Sequence, residues 1–542
     1  MPAIIEFCKK HKEIILTVFA AVFMLFSVSI VIFYTTGPSI AFFHSDCADS
    51  LYWASASRDS KSLFNKDFGY AAFLPFGGTT IMYLLEPFFG QGITTHRVGM
   101  AVFVLIMLFA VFFLLLQSDK SKPFSLFSTG LLALTLFSSS KMREIFFEHT
   151  IYYSISCVGI TILLLLYFKL GDIDLSIKKH RIKAAVAASF TALYSFLLGM
   201  DGFQIVASAV FPVIFAVIFN VIRENKPLKD KSNILPAAFS AVTGILSLLG
   251  VFVVKYAFKA FSGYASAYST YSNTSDWVNN ARKLPEHWFY LFGIDFEIRH
   301  IDLFGVDSIK IGIRIVASLV IALVPVVALF FIKKLKQRTC LILFSHFGTA
   351  AVILFGYIMG TLSSAAWRLS PLIFTGLIST LCVINDLRLS ITLKRLGAIS
   401  LAFVIALGIV NIGTFNQIKN YGITENSKFE LLNELSNNNL DFGYATFWSS
   451  QTVTVLSDAK IRCVNVNINE NGVEACPYQS DKRWFNENAS KTGKYFLALT
   501  KNEVDTLKES EEYSRIFRNY VDIIFTPNWQ IFIFDSNFFV RN

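Results

Sequence analysis

Charge is scarce in this chain. Only 16% of its 542 residues are Asp, Glu, Lys or Arg, where a water-soluble domain carries about 25%. That deficit excludes an ordinary soluble core of this size. Cysteine is also scarce: there are seven, with no CxxC pair and no spacing that suits a zinc site, which excludes a thiolate metal centre. The sequence contains no GxxxxGK[ST], no GxGxxG opening a helix after a strand, no HExxH and no GxSxG. Nothing therefore points to ATP hydrolysis, a nicotinamide cofactor or a zinc protease. Internal repeats and low-complexity linkers are missing too.

Apolar surface is what the chain has in excess, with 54% hydrophobic residues, 15% aromatic and 56 Phe. Runs of about 17–25 residues can cross a bilayer. The sequence predicts eleven spans, near 14–34, 93–117, 124–140, 150–170, 184–200, 203–222, 235–258, 309–332, 339–360, 371–385 and 396–415. The first is too long for a cleavable signal and reads as an anchor that stays. The net charge of +10 is unevenly spread: residues 416–542 hold 13 Lys+Arg against 16 Asp+Glu, so the first 415 carry the whole excess. A basic excess can mean nucleic acid, but here it sits in short loops such as KKHRIK and KKLKQR, where it sets membrane orientation. With the N-terminus inside, the inner segments carry 20 Lys+Arg in 61 residues, and the outer loops are far poorer for their length. This predicts a multi-pass plasma-membrane protein with a cytoplasmic N-terminus. The Pro- and Gly-broken stretch 68–90 then lies outside as interface helices. An odd number of spans leaves 416–542 outside as a small α/β domain with five strands.

Costly polar residues gather on the predicted outer face. HSDCAD supplies His44, Asp46 and Asp49, with Trp53 a turn further on. KMREIFFEH supplies Lys141, Arg143, Glu144, Glu148 and His149. LGMDGFQ holds Asp201, and SSAAWRLSP holds Trp367 and Arg368. Such one-sidedness is the pattern of an extracytoplasmic active site. Each residue also has a plainer reading. Asp46 can N-cap a helix through CADSLYWASASR with Asp49 as its N3 partner. The 141–149 charges can be a solvated loop with internal ion pairs, and Asp201 a turn residue. Arg368 can snorkel to the interface, and His346 can be a satisfied core histidine.

An N-terminal span, an acidic motif (Asp46, Asp49) in a long outer loop, a multi-span core (1–415) and an outer C-terminal domain (416–542) together resemble the GT-C superfamily of membrane glycosyltransferases. HSDCADSLYWA, DFGYAAFLPFGG and GYATFWSSQTVTVLSDAKI are similar to stretches of bacterial membrane proteins grouped near it. The WWDYG-type signature of oligosaccharyltransferases is missing, so transfer to protein asparagine is not implied. The resemblance implies inverting transfer of a sugar from a polyprenyl-phosphate carrier to an envelope glycan or lipid. Asp46 or Asp49 would be general base. Arg368, Arg143 and Lys141 would bind phosphate, and Glu148, His149, Asp201 and His44 would complete the substrate site. Trp53, Trp277, Trp288 and the Tyr cluster of 264–271 would stack on sugars. A divalent cation on Asp46 and Asp49 is compatible with that chemistry. A transporter or flippase of lipid-linked saccharides and a non-catalytic envelope scaffold remain the alternatives. Cys463 and Cys476, flanking VNVNINENGVEA, could pair in an oxidising envelope.

Overall fold

A helix that is apolar over 18 or more residues satisfies its own backbone hydrogen bonds and can lie in lipid. Among the described residues of the computed structural model, ten helices are long and apolar enough to do so. The structure describes residues 11–539 except 73, 175, 226, 228–229, 258–269, 296–301, 303, 361–364, 388–390, 487–489 and 511. In chain order the helices are α1 Lys12–Thr36, α2 Asp49–Ser60, α3 Gly78–Phe89, α4 Ile93–Asp119, α5 Lys122–Thr135, α6 Ser140–Arg143 and α7 Tyr152–Gly171. There follow α8 Lys178–Met200, α9 Phe203–Glu224, α10 Ile234–Tyr256, α11 Thr274–Leu291, α12 Val306–Lys334, α13 Gln337–Met359, α14 Ala366–Asp386 and α15 Ile391–Ile418.

The run expected near 124–140 leads from the end of the bundle that holds Asp119 to the end that holds Lys141, but its regular helix is short. Its helix, α5, has 14 residues, about 21 Å of rise against a hydrocarbon core of about 30 Å. It stops because polar groups take over its end. Asn411 Nδ2 donates to Leu134 O (2.8 Å) and Ser138 Oγ (2.9 Å), and Ser139 Oγ accepts the Met142 N–H that opens α6. The helix still packs in the bundle, with Phe127 stacked on Phe23 of α1. The 68–90 stretch also differs in part from expectation. Only α3 exposes an apolar face (Tyr83, Leu84, Phe88, Phe89), while Glu86 turns inward to accept from Ser55 and Arg58.

At one end of the bundle the KKLKQR loop ties four helix ends together. Lys336 pairs with Asp119 and Asp386, Arg338 pairs with Asp172, and Gln337 donates to Glu224. At the other end sits the C-terminal domain. Its helices α16 Phe429–Asn437, α17 Phe447–Leu456, α18 Lys501–Lys508 and α19 Glu512–Asn519 pack on a six-stranded sheet of order β3-β2-β1-β4-β6-β5. The strands are β1 Phe442–Thr446, β2 Arg462–Asn469, β3 Gly472–Ala475, β4 Tyr495–Thr500, β5 Asp522–Phe525 and β6 Trp529–Phe534. β1 lies parallel between β2 and β4, and the other pairings are antiparallel. Strand alternation divides the sheet between two cores. Phe496, Ala498, Ile531 and Ile533 join the bundle core, while Leu497, Leu499, Tyr444 and Phe532 form the domain's own.

The β2–β3 register corrects the cysteine expectation. Cys476 N donates to Asn465 O, so Cys463 sits diagonal to Cys476, a spacing of about 7–8 Å in a sheet and too long for a disulfide. Both cysteines are free and buried.

Candidate functional site

The site is built where the first loop, the 141–153 segment, the start of α14 and the C-terminal domain meet. His44, Asp46, Asp49, Trp53, Lys141, Glu144, His149, Tyr152, Trp367, Arg368, Trp448 and Tyr478 help to line one cavity of about 410 Å³.

The first loop reaches it through a short turn, not through a cap. Ser45–Ala48 form a 3₁₀ turn leading into α2, and neither Asp46 nor Asp49 makes a capping hydrogen bond. The capping-box reading is therefore wrong. The turn is instead held from the C-terminal domain, where Ser45 Oγ donates to Phe447 O (2.6 Å) and Asn426 Nδ2 to Ile40 O and Phe43 O. Asp46 is left half-buried on the cavity wall. Burial, and then the neighbouring Asp49, raise its carboxyl above the ordinary range. Asp49 is 7% exposed, and burial lifts it well above that range, opposed by His44 and by Gln479. His149 Nε2 lies 3.8 Å from Asp49 Oδ2. Burial lowers the His149 imidazole to about 4, so it is neutral at pH 7.

A helical face sorts the 141–149 residues. Lys141, Glu144 and Ile145 share one face and line the cavity. Arg143, Phe146 and Phe147 point inward, and Arg143 is caged by the rings of Tyr34, Phe42 and Phe137 at 5.1–5.6 Å. An unbroken α-helix would return Glu148 to the cavity face. The wide π turn Glu144–Glu148 shifts it inward instead, where the Tyr34 hydroxyl donates to it. Burial raises the Glu148 carboxyl to about 7. Glu144 is opposite in character. Burial opposes its charge, but the hydrogen bond from His44 and the attraction of Lys141 pull it down to about 2. It bridges Lys141 and His44 (3.5 Å). Burial opposes the charge on His44 as well, but Cys47 and Glu144 outweigh it and push its pKa up to about 12.

Arg368 Nη1 donates to Gly356 O (3.1 Å) in the first turn of α14. Beside it, the Trp367 ring lies under Lys141 Nζ at 5.1 Å. Trp367 and Trp448 are 39% and 57% exposed, which is unusual for indoles. Trp53 is buried, its Nε1–H bonded to Gln479 Oε1 (2.7 Å).

Of the residues singled out in the sequence, the cavity thus gathers His44, Asp46, Asp49, Trp53, Lys141, His149 and Arg368. It does not gather Arg143, Glu148 or Asp201. Asp201, 4% exposed, accepts the Phe76 N–H (2.8 Å) and anchors the strap between α2 and α3. Its carboxyl is raised to about 8 by burial. Trp277 and Trp288 lie off the cavity too: Trp277 bonds Ser272 O and Trp288 packs on Phe292. Tyr264 and Tyr268 fall outside the described residues, whereas Tyr271 packs on Phe355. His346, on α13, bonds Thr375. Sequence reasoning missed Trp448 and Tyr478. The only signal was an exposed-type aromatic at the end of a strand, in GYATFW. Among the described residues no group of three or more His, Cys, Asp and Glu is arranged to hold a metal ion.

No protein-family model and no curated protein matches the sequence. The structure is similar to that of ArnT from Cupriavidus metallidurans bound to undecaprenyl phosphate. The TM-score is 0.54 at 10% identity, over 96% of this chain and 99% of that one. It also matches the Archaeoglobus fulgidus oligosaccharyltransferase tethered to an acceptor peptide containing the NVT sequon, with a TM-score of 0.45 at 11% identity, over 96% and 74% of the two chains. The chain has the GT-C fold, a multi-pass helical membrane part with a small C-terminal sheet domain.

Proposed function

We propose that this protein is an inverting membrane glycosyltransferase that moves a sugar from a polyprenyl-phosphate carrier to an acceptor hydroxyl on an envelope glycan or lipid. The observation that carries the reading is one cavity. It places a half-buried carboxylate (Asp46) beside cations (Lys141, Arg368) and two exposed indoles (Trp367, Trp448).

The chemistry is a single displacement. The acceptor oxygen bonds to the anomeric carbon as Asp46 takes its proton. The bond from that carbon to the phosphate oxygen breaks, and polyprenyl phosphate leaves with the electron pair, so the anomeric configuration inverts. A carboxyl raised above its usual pKa is the stronger base for this step. Arg368 and Lys141 would neutralise the leaving phosphate. Asp46 and Asp49 alone do not make up a divalent-cation site, and the displacement runs on side-chain groups. The cavity end is assigned to the extracytoplasmic side and the N-terminus to the cytoplasm, because the basic loops lie at the opposite end. The ion pairs tying Lys336 and Arg338 to three helix ends favour a closed inner face, which speaks against alternating access by a transporter.

The test is Asp46→Asn in purified protein supplied with polyprenyl-phospho-sugars, following donor consumption. Asn keeps the shape and removes the base, so turnover should fall by about 10²–10⁴ with expression and folding unchanged. In the parent, kcat/KM should rise with pH through a pKa above the ordinary Asp range. Full turnover by Asp46→Asn would remove Asp46 from the mechanism.

A further inference from the structure

The C-terminal domain presents one residue to the first-loop carboxylates from outside the described machinery. Gln479 is 0% exposed and has φ +53°, a left-handed conformation that a residue other than glycine adopts at a cost. It is fixed there from several sides. Its N–H donates to Gly69 O (2.6 Å), and its own carbonyl accepts from Gln451 Nε2 (2.9 Å). Gly69 allows that approach because a Cβ there would meet Pro477 O at 1.8 Å.

The side chain held by this scaffold spans one turn of α2. Asp49 and Trp53 are four residues apart and so share a helix face. Gln479 Oε1 accepts from Trp53 Nε1 (2.7 Å), which fixes the amide with its nitrogen as the remaining donor. That nitrogen is buried without a hydrogen-bond partner, and so is Asp49 Oδ1. We infer that Gln479 is a positioning residue, its amide oxygen holding Trp53 and its amide nitrogen holding the Asp49 carboxylate in the cavity wall. The inference deepens the proposed transferase reading, since it makes the C-terminal domain set the geometry of the acidic pair. Gln479 opposes the burial that raises Asp49. The other groups that face Asp49 are Asp46 and His44 on the preceding turn and His149 ahead of α7. Lys141, Glu144 and Arg368 stand on the remaining walls of the same cavity.

Infrared titration of the purified full-length protein tests this directly. The carboxyl band of Asp49 is assigned by its loss in Asp49→Asn, and its midpoint is followed with pH. A hydrogen bond to a charged group is worth enough to move that midpoint by about one pH unit. Gln479→Met, which lacks the donor, should raise it by that amount. Gln479→Glu keeps the oxygen that accepts from Trp53 but faces Asp49 with a second carboxylate, and should raise it further. A midpoint unchanged in Gln479→Glu, or in Gln479→Met that still folds, would overturn the assignment. A purely structural role would lower thermal stability and leave the midpoint alone. The titration needs no turnover, so it reads out even in a protein inactive on every donor.

Discussion

Asp201→Asn separates the cost of a buried charge from the value of a hydrogen bond. Asp201 sits in the tight turn between α8 and α9, and its carboxyl is raised from 3.8 to about 8 by burial. Below pH 3.8 it is protonated in both folded and unfolded chains and takes nothing from stability. As pH rises the unfolded chain ionises first, so stability falls until the folded group ionises near pH 8. At pH 7 the loss is about 4 kcal/mol as an order of magnitude, a few degrees in melting temperature for a chain of this size. Asn keeps the acceptor for the Phe76 N–H at 2.8 Å, removes the ionisation and leaves an extra buried donor, which costs about 1–3 kcal/mol. The variant should therefore melt below the parent near pH 4, gain on it steadily, and match or pass it by pH 8. The assay is thermal unfolding in detergent at half-unit pH steps, read as the difference between the two proteins, so that Glu148 and the other buried acids cancel. Parallel curves would show that Asp201 ionises normally and would refute the argument from burial.

Reporter fusions at Lys179 and Lys334 should report cytoplasm, and fusions at Tyr271 and the C-terminus should report the outer side; a cytoplasmic C-terminus would refute the proposed topology. Chelation with EDTA should leave donor consumption unchanged, because the cavity draws its positive charge from Lys141, Arg368 and His44. A loss restored by a divalent cation would show that Asp46 and Asp49 bind metal after all.

The membrane helices are legible in the sequence because length and hydropathy are local properties. The α5 region misleads for a tertiary reason: its apolar run extends to Phe137, but Asn411, far along the chain, pulls the last turn out of helix. Part of the cavity is legible as well, since HSDCAD and WRLSP put costly charges next to long apolar runs. The fate of 141–149 is not. A single π turn decides that Glu148 goes inside with Tyr34, and nothing in EIFFE announces it. Trp448, Tyr478 and Gln479 are hidden for another reason. Their roles arise from a domain docking on the first loop, and such contacts leave no periodic trace in one sequence. The capping reading of Asp46 failed because Ser45 is held by Phe447 instead.

That docking has a consequence for how the molecule comes into being. Asp458, from the turn after α17, accepts the N–H of Ile93 at the first turn of α4 (3.2 Å), and the cavity is unfinished without Trp448 and Tyr478. A growing chain therefore completes its bundle before it owns a finished pocket, and α4 waits for a partner made more than 360 positions later. Damage confined to the last fifth of the chain would leave a protein that enters the bilayer and keeps every first-loop carboxylate, yet has no enclosed site in which to use them.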